Sequence, residues 1–288
     1  MSGSMSNDMF VSCQWLKHRI ANRHFFQNLV ILDVSWASDK NMEDEFLREH
    51  IPGAQFFNIM DDNHTDMYPR NLPSVENFQS RARAIGINND SHLVLYSKSQ
   101  HGGLFVSGRA WWTFSYFGHQ SISVLDGGFS QWLEENGDVS KERCSNCNCK
   151  LISLEIGDFS TNVRGNLRVE FDEMVQIVKT HGQIIDSRAS DKLNLKDPST
   201  YIGNAINIPM SVIVKGHLIM PKDELREFLT EKGVKLNQPT VCYCNSGMSS
   251  CSLVLAIIYC GGQARLYSGG YNEWKRKIYS VEHLPLNS

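Results

Sequence analysis

PTVCYCNSGMSSCSLVLAIIYCGG, residues 239–262, holds a short apolar run, a patch of small polar residues and a longer apolar run closed by two glycines. PTVCY reads as a buried strand. SSCSLVLAIIYC reads as a buried helix, with Gly261 and Gly262 supplying the left-handed cap that ends it. Cys244 therefore sits at the carboxyl end of a strand, in a tight turn into a helix. A cysteine at a strand end can be just a small buried hydrophobe, which is how Cys242, Cys251 and Cys260 read. It can also be a nucleophile. Successive N–H groups of such a turn point inward, and the helix N-terminus adds partial positive charge. Both favour the thiolate, the reactive form of the side chain. Gly247 allows the turn without a Cβ clash. Asn245, Ser246, Ser249 and Ser250 are small enough to leave room for a substrate.

Working outward, the same pattern occurs twice. SHLVLYS (91–97) lines up with PTVCYC (239–244), which puts Ser97 where the second copy has Cys244. NLVILDVSW (28–36) matches GQIIDSRA (182–189), each a buried-strand pattern ending in Asp. HIPGAQFFNI (50–59) is echoed by YIGNAINIPM (201–210), and VLDGGFSQW (124–132) by RLYSGGYNEW (265–274). Four matched segments in one order mean two copies of one domain. Amphipathic stretches such as VENFQSRARAIG and DELREFLTEKG alternate with the strands. The expected class is α/β, two tandem domains, each a mainly parallel sheet with helices on both faces. Such sheets carry their sites at the carboxyl ends of strands, where Ser97 and Cys244 stand. The expected boundaries are 10–137 for a non-catalytic first domain, 138–166 for a polar linker and 167–288 for a catalytic second domain.

Composition narrows the field. Apolar residues make up 41% of the 288, enough for a substantial core, and the net charge of −3 does not suit nucleic acid or an anionic membrane as partner. The densest apolar stretch, LVLAIIYC, falls far short of the ~20 residues a membrane span needs. MSGSMSNDMF has neither an apolar signal core nor an Arg-rich amphipathic pattern, so the expected location is the cytosol, with the mitochondrion left open. The eight cysteines then read mostly as reduced thiols.

VSCQWL, ILDVSW, EHIPGAQFF, GRAWWTFSYFGH and LDGGFSQWL in the first half, with DSR, CNSGMSS and YSGGYNEW in the second, resemble the tandem-domain rhodaneses. These are the thiosulfate and 3-mercaptopyruvate sulfurtransferases, and the resemblance spans nearly the whole chain. It implies that Cys244 attacks the outer sulfur of a small anionic donor, becomes a persulfide and delivers that sulfur to a thiol, cyanide or sulfite. A thioredoxin-like reductant is a further candidate partner. No metal and no organic cofactor are implied. The loop Asn245, Ser246, Gly247, Met248, Ser249 and Ser250 would hold the anionic sulfur. Thiosulfate-preferring members carry a basic residue at the position of Ser246 and mercaptopyruvate-preferring members a serine, so the loop leans towards 3-mercaptopyruvate.

The chain also departs from the family. Arg188, in the DSR segment, is expected to brace its domain through a carboxylate, although it is retained among the substrate-binding candidates. The usual substrate arginine four residues on is Lys192, which keeps the charge and loses the two-pronged grip. A further arginine before the second HIPG-like segment is missing from SDKLNLKDPSTYIGN. The family's loop serine is paired with a His and an Asp of the first domain, but those positions hold Arg70 and Met60, with His64 nearby but out of register. Arg70 is therefore the candidate replacement for the lost positive charge.

These losses keep a rival open, a degenerate rhodanese that carries persulfide or binds partners without turning over small donors. Cysteine-dependent phosphatases place an arginine six residues after the cysteine, and here that residue is Ser250, which argues against phosphoryl transfer. CSNCNC (144–149) offers three thiols where a zinc site wants four ligands, so metal binding ranks below redox reactivity of these thiols, and both rank below a plain linker. Cys242 and Cys244, two apart and so on one strand face, raise the weaker alternative of a strained disulfide that would switch the enzyme off. WWTFSYFG, Trp36 and Trp132 read as core and interface aromatics.

Overall fold

The computed structural model describes residues 8–60, 64–141, 156–194 and 196–282. They divide into two compact units. The first comprises residues 8–60, 73–141, 156–164 and 214–219, and the second 64–72, 165–194, 196–213 and 220–282.

In the first unit, strands β1 (Phe10–Val11), β2 (Leu29–Asp33), β3 (Ala54–Phe56), β4 (His92–Tyr96) and β5 (Ile122–Leu125) form a sheet in the order β1-β5-β4-β2-β3. Every pair is parallel. Each crossover needs a connecting element, and helices α1 (Cys13–Ala21), α2 (Met42–Arg48), α3 (Val75–Ala84), α4 (Leu104–Tyr116) and α5 (Gly128–Glu134) supply them. Ser12 and Ser74 cap α1 and α3, their hydroxyls accepting from the N–H groups of Trp15 and Asn77. β4 is buried along its whole length, as a central parallel strand must be. One cluster of the core joins Leu29, Ile31, Val94, Tyr96, Phe129 and Trp132.

The second unit repeats this plan. Strands β6 (Arg168–Val169), β7 (Gln183–Asp186), β8 (Ile206–Asn207), β11 (Pro239–Tyr243) and β12 (Gln263–Tyr267) run parallel in the order β6-β12-β11-β7-β8. Helices α6 (Phe171–Lys179), α7 (Lys222–Glu231), α8 (Ser249–Tyr259) and α9 (Gly270–Glu282) belong to it. Within α8, Ser250 to Ile257 are all buried, which explains the unbroken apolar run in the sequence. Gly261, at φ +85°, ends it as read. The two-domain α/β expectation is met.

Two exchanges and one packed segment go beyond the sequence reading. Residues 64–72, which follow β3, belong to the second unit. The hairpin β9 (Val214–Lys215) and β10 (Leu218–Ile219), which follows β8, belongs to the first. There the Asp126 carboxylate accepts from the Ile219 N–H at 2.8 Å, and the His217 carbonyl fills the space that a side chain on Gly102 would need. Residues 156–164, read as part of a linker, are built into the first unit. Phe159 is buried, and the N–H groups of Gly157, Phe159, Asn162 and Arg164 donate to Arg83, Ile87, Phe117 and Tyr116 carbonyls. CSNCNC lies outside the described residues. Trp112 and Trp132 are core residues and Trp36 is half-buried. Among the described residues no helix is long and apolar enough to cross a membrane.

Candidate active site

Cys244 is the residue that follows β11, and its side chain is only 4% exposed. Gly247, at φ +78°, reverses the chain between β11 and α8. The reversal brings the N–H groups of Gly247 and Met248 to 3.1 and 3.2 Å from the Cys244 sulfur. From the first turn of α8, the buried Ser250 hydroxyl donates to the same sulfur at 3.4 Å. Burial alone would push the thiol up. The Ser250 hydroxyl and N–H, the Ser246 N–H and the Ser249 hydroxyl outweigh it and hold the thiol below its ordinary value.

The other cysteines show what burial does without those donors. Cys13 is pushed up to about 12 and Cys260 to about 11, mainly by desolvation, and Cys242, fully buried in β11, also moves up. Cys242, Cys251 and Cys260 are buried, in keeping with the small-hydrophobe reading of the sequence. Cys242 and Cys244 are both free thiols, as are Cys13, Cys251 and Cys260.

The loop is clamped from α9. Tyr271 N–H donates to the Cys244 carbonyl at 2.7 Å and Asn272 N–H to the Asn245 carbonyl at 3.1 Å. Gly270 makes this approach possible. It sits at φ +59°, and a Cβ there would lie 2.5 Å from the Cys244 carbonyl oxygen and 2.6 Å from that of Asn245. That is the physical content of the repeated Gly-Gly-aromatic segment, since Gly128 is pressed against the Ser97 carbonyl in the same way.

The first copy builds a different loop from the same frame. Ser97 occupies the position of Cys244, but its hydroxyl donates to the Gly103 carbonyl at 2.9 Å. That contact sets an acceptor against the position of the sulfur, beside the single amide of Ser99 at 3.3 Å, where the second copy sets two amides and a hydroxyl. The Lys98 ammonium is drawn away to the Glu45 and Glu49 carbonyls. A carbonyl oxygen held against that position disfavours an anion there.

The remaining candidates divide by burial. Asn245 is exposed, Ser246 and Ser249 half-buried, and Gly247, Met248 and Ser250 buried. Arg188 is buried, and its guanidinium grips Asp186 through Nε at 2.9 Å and Nη2 at 2.5 Å while also donating to the Thr200 carbonyl at 2.7 Å. Lys192 stands on a 3-10 turn, 62% exposed, with its ammonium 3.5 Å from Asp191. Arg70 is half-buried in the exchanged segment, within the same unit as Cys244, whereas Met60 is a buried core residue of the first unit.

Sequence reasoning passed over two residues. Ser187, inside the DSR segment, sets its hydroxyl 3.0 Å from that of Ser249, and its only signal was its place between Asp186 and Arg188. Glu273, inside YSGGYNEW, is a buried carboxylate that accepts from Tyr68 of the exchanged segment at 2.7 Å. Among the described residues no group of three His, Cys, Asp or Glu side chains could hold a metal ion.

A doubled sheet order with one loop built around a sulfur is matched by the rhodanese-like domain profile, over residues 12–135 and again over 168–277. This chain belongs to the rhodanese family. It is 31% identical to the 3-mercaptopyruvate sulfurtransferase of Mus musculus over 95% of this chain and 94% of that protein. It is equally close, at 31%, to the thiosulfate sulfurtransferase of Rattus norvegicus, over 93% of this chain and 92% of that one. The crystal structure of SseA from Escherichia coli, described as a 3-mercaptopyruvate sulfotransferase, superposes with a TM-score of 0.77 at 27% identity. It covers 91% of this chain and 98% of its own. Like these relatives, this rhodanese is a sulfurtransferase.

Proposed function

We propose that this rhodanese moves sulfane sulfur from a small anionic donor to a thiophilic acceptor through a persulfide on Cys244. The observation that carries the reading is the set of three donors, two amides and one hydroxyl, converging on a buried sulfur held below its ordinary pKa. The Cys244 thiolate attacks the outer sulfur of the donor. With 3-mercaptopyruvate the carbon–sulfur bond breaks, and the electron pair leaves on the pyruvate enolate, which takes up a proton. With thiosulfate the sulfur–sulfur bond breaks and sulfite leaves with the pair. The acceptor, a thiol, cyanide or sulfite, then attacks the outer sulfur of the persulfide, and Cys244 leaves again as thiolate. A thioredoxin-like dithiol is a further acceptor. The loop amides and Ser250 serve both half-reactions, since each begins or ends with negative charge on Cys244.

Ser246 favours 3-mercaptopyruvate over dianionic thiosulfate. Lys192 and Arg70 are assigned to the donor's charge, and Arg188 to holding Asp186. A reducing compartment such as the cytosol suits a protein whose described cysteines are all free thiols.

The test is a steady-state assay with 3-mercaptopyruvate and with thiosulfate, cyanide as acceptor and Cys244→Ser as control. Turnover lost in the variant, with a one-sulfur mass gain confined to the wild type, supports the reading. No turnover with either donor in folded protein would refute it. It would then favour a persulfide carrier loaded by a partner, a role that suits the exposed, carboxylate-facing Lys192.

A further inference from the structure

Residues 64–72 come from the first half of the chain but belong to the unit that holds Cys244. A segment so placed must be fastened, and the fastening is specific. The Tyr68 hydroxyl donates to Glu273 Oε1 at 2.7 Å, 205 residues away in sequence. Glu273 is 3% exposed, and a carboxylate that deep must be paired. Its Oε1 also receives the Lys277 ammonium at 2.7 Å. Glu273 lies one residue beyond Asn272 and two beyond Tyr271, whose N–H groups clamp the Cys244 loop. One turn of α9 thus holds the nucleophile's loop with its amides and the exchanged segment with a carboxylate.

The segment is folded into a turn at that anchor. Thr65 and Tyr68 close a turn, with Tyr68 N–H on the Thr65 hydroxyl at 3.0 Å and Thr65 N–H on the Tyr68 carbonyl at 3.2 Å. Pro69 follows and fixes its own backbone φ. Leu72 is buried and ties the far end. Arg70 stands between these two anchors, one residue past the proline. Its backbone position is therefore set by Tyr68 on one side and Leu72 on the other.

We propose that Tyr68 is a positioning residue for sulfur transfer, latching residues 64–72 onto α9 through Glu273 so that Arg70 is held where it meets the anionic sulfur donor. This deepens the sulfurtransferase reading and rests on it. The latch concerns loading of Cys244 and not its discharge, because cyanide attacks a persulfide already formed.

The experiment measures the two half-reactions separately in Tyr68→Phe, Arg70→Ala, Glu273→Gln and wild type, with 3-mercaptopyruvate for loading and cyanide for discharge. Tyr68→Phe keeps the ring and removes only the hydroxyl. Its KM for 3-mercaptopyruvate is expected to rise roughly tenfold or more, the loss that one hydrogen bond to a charged group corresponds to. The discharge rate is expected to stay unchanged. Glu273→Gln keeps an acceptor for Tyr68 and is expected to shift KM less. Hydrogen exchange in residues 64–72 is expected to quicken in Tyr68→Phe. An unchanged KM in Tyr68→Phe, when Arg70→Ala raises it, overturns the latch. Equal slowing of loading and discharge also overturns it. An unchanged KM in Arg70→Ala overturns the proposal as well, even where Tyr68→Phe raises KM. Absence of any loading in wild type would instead refute the sulfurtransferase reading itself.

Discussion

Removing the Ser250 hydroxyl isolates one of the three donors on the Cys244 sulfur. Ser250→Ala deletes a single oxygen from a buried first-turn position of α8 and leaves the Gly247 and Met248 amides in place. The lost contact is a buried hydroxyl donating to a largely buried sulfur. A hydrogen bond to a charged group is worth about 1.5–3 kcal/mol, and the 3.4 Å separation puts this one at the low end. About 1.5 kcal/mol taken from the thiolate alone raises the pKa of Cys244 by roughly one unit. The measurement is the alkylation rate of Cys244 by iodoacetamide as a function of pH, with the modified residue identified by mass. The midpoint should move up by about one unit, with reactivity well below that midpoint falling roughly tenfold. Thermal stability should change little, because the substitution opens no space larger than one atom. Cys13, Cys242 and Cys260 serve as internal references, since burial pushes their thiols up and the substitution leaves their surroundings unchanged. An unmoved midpoint in a folded variant would refute the reasoning and leave the sulfur's charge to the loop amides alone.

Three further outcomes follow from the same geometry. Gly270→Ala drives a Cβ into the Cys244 and Asn245 carbonyls at a positive φ, so chemical denaturation should show a loss of about 2 kcal/mol or more together with reduced transfer activity. Arg188→Ala leaves Asp186 buried without its partner, which should cost about 3–5 kcal/mol of stability, and Arg188→Lys should recover only part because it lacks the fork. Asp126 is pushed up to about 6 by burial, against an ordinary 3.8. Between those two values the folded chain holds the proton more tightly than the unfolded chain. Its contribution to stability is therefore present at the acid end and falls, by up to about 3 kcal/mol, as pH rises through 6. Asp126→Asn keeps an acceptor for the Ile219 N–H and should remove that part of the pH dependence, read from urea midpoints across pH 4–8.

What the chain wrote into its own order is local chemistry. The strand-to-helix turn at Cys244 is made by residues within six positions of one another, so its donors, its glycine and its helix cap could all be read along the chain. The doubled sheet was legible for the same reason, because each strand ends in a recognisable residue and the four segments recur in order. Arg188 could be read as a brace because its carboxylate is two residues away. The folded structure alone decided the rest. Tyr68 meets Glu273 across 205 residues, and Ile219 meets Asp126 across 93. The first-copy loop turns the Gly103 carbonyl towards Ser97, although its sequence matches the frame of the second. Residues 156–164 look like linker yet pack through backbone amides, which any sequence possesses. Hydrophobic periodicity and turn residues leave a trace in sequence because they constrain neighbours. A hydrogen bond between distant partners constrains only the distance between them in the fold, and it leaves no period to read.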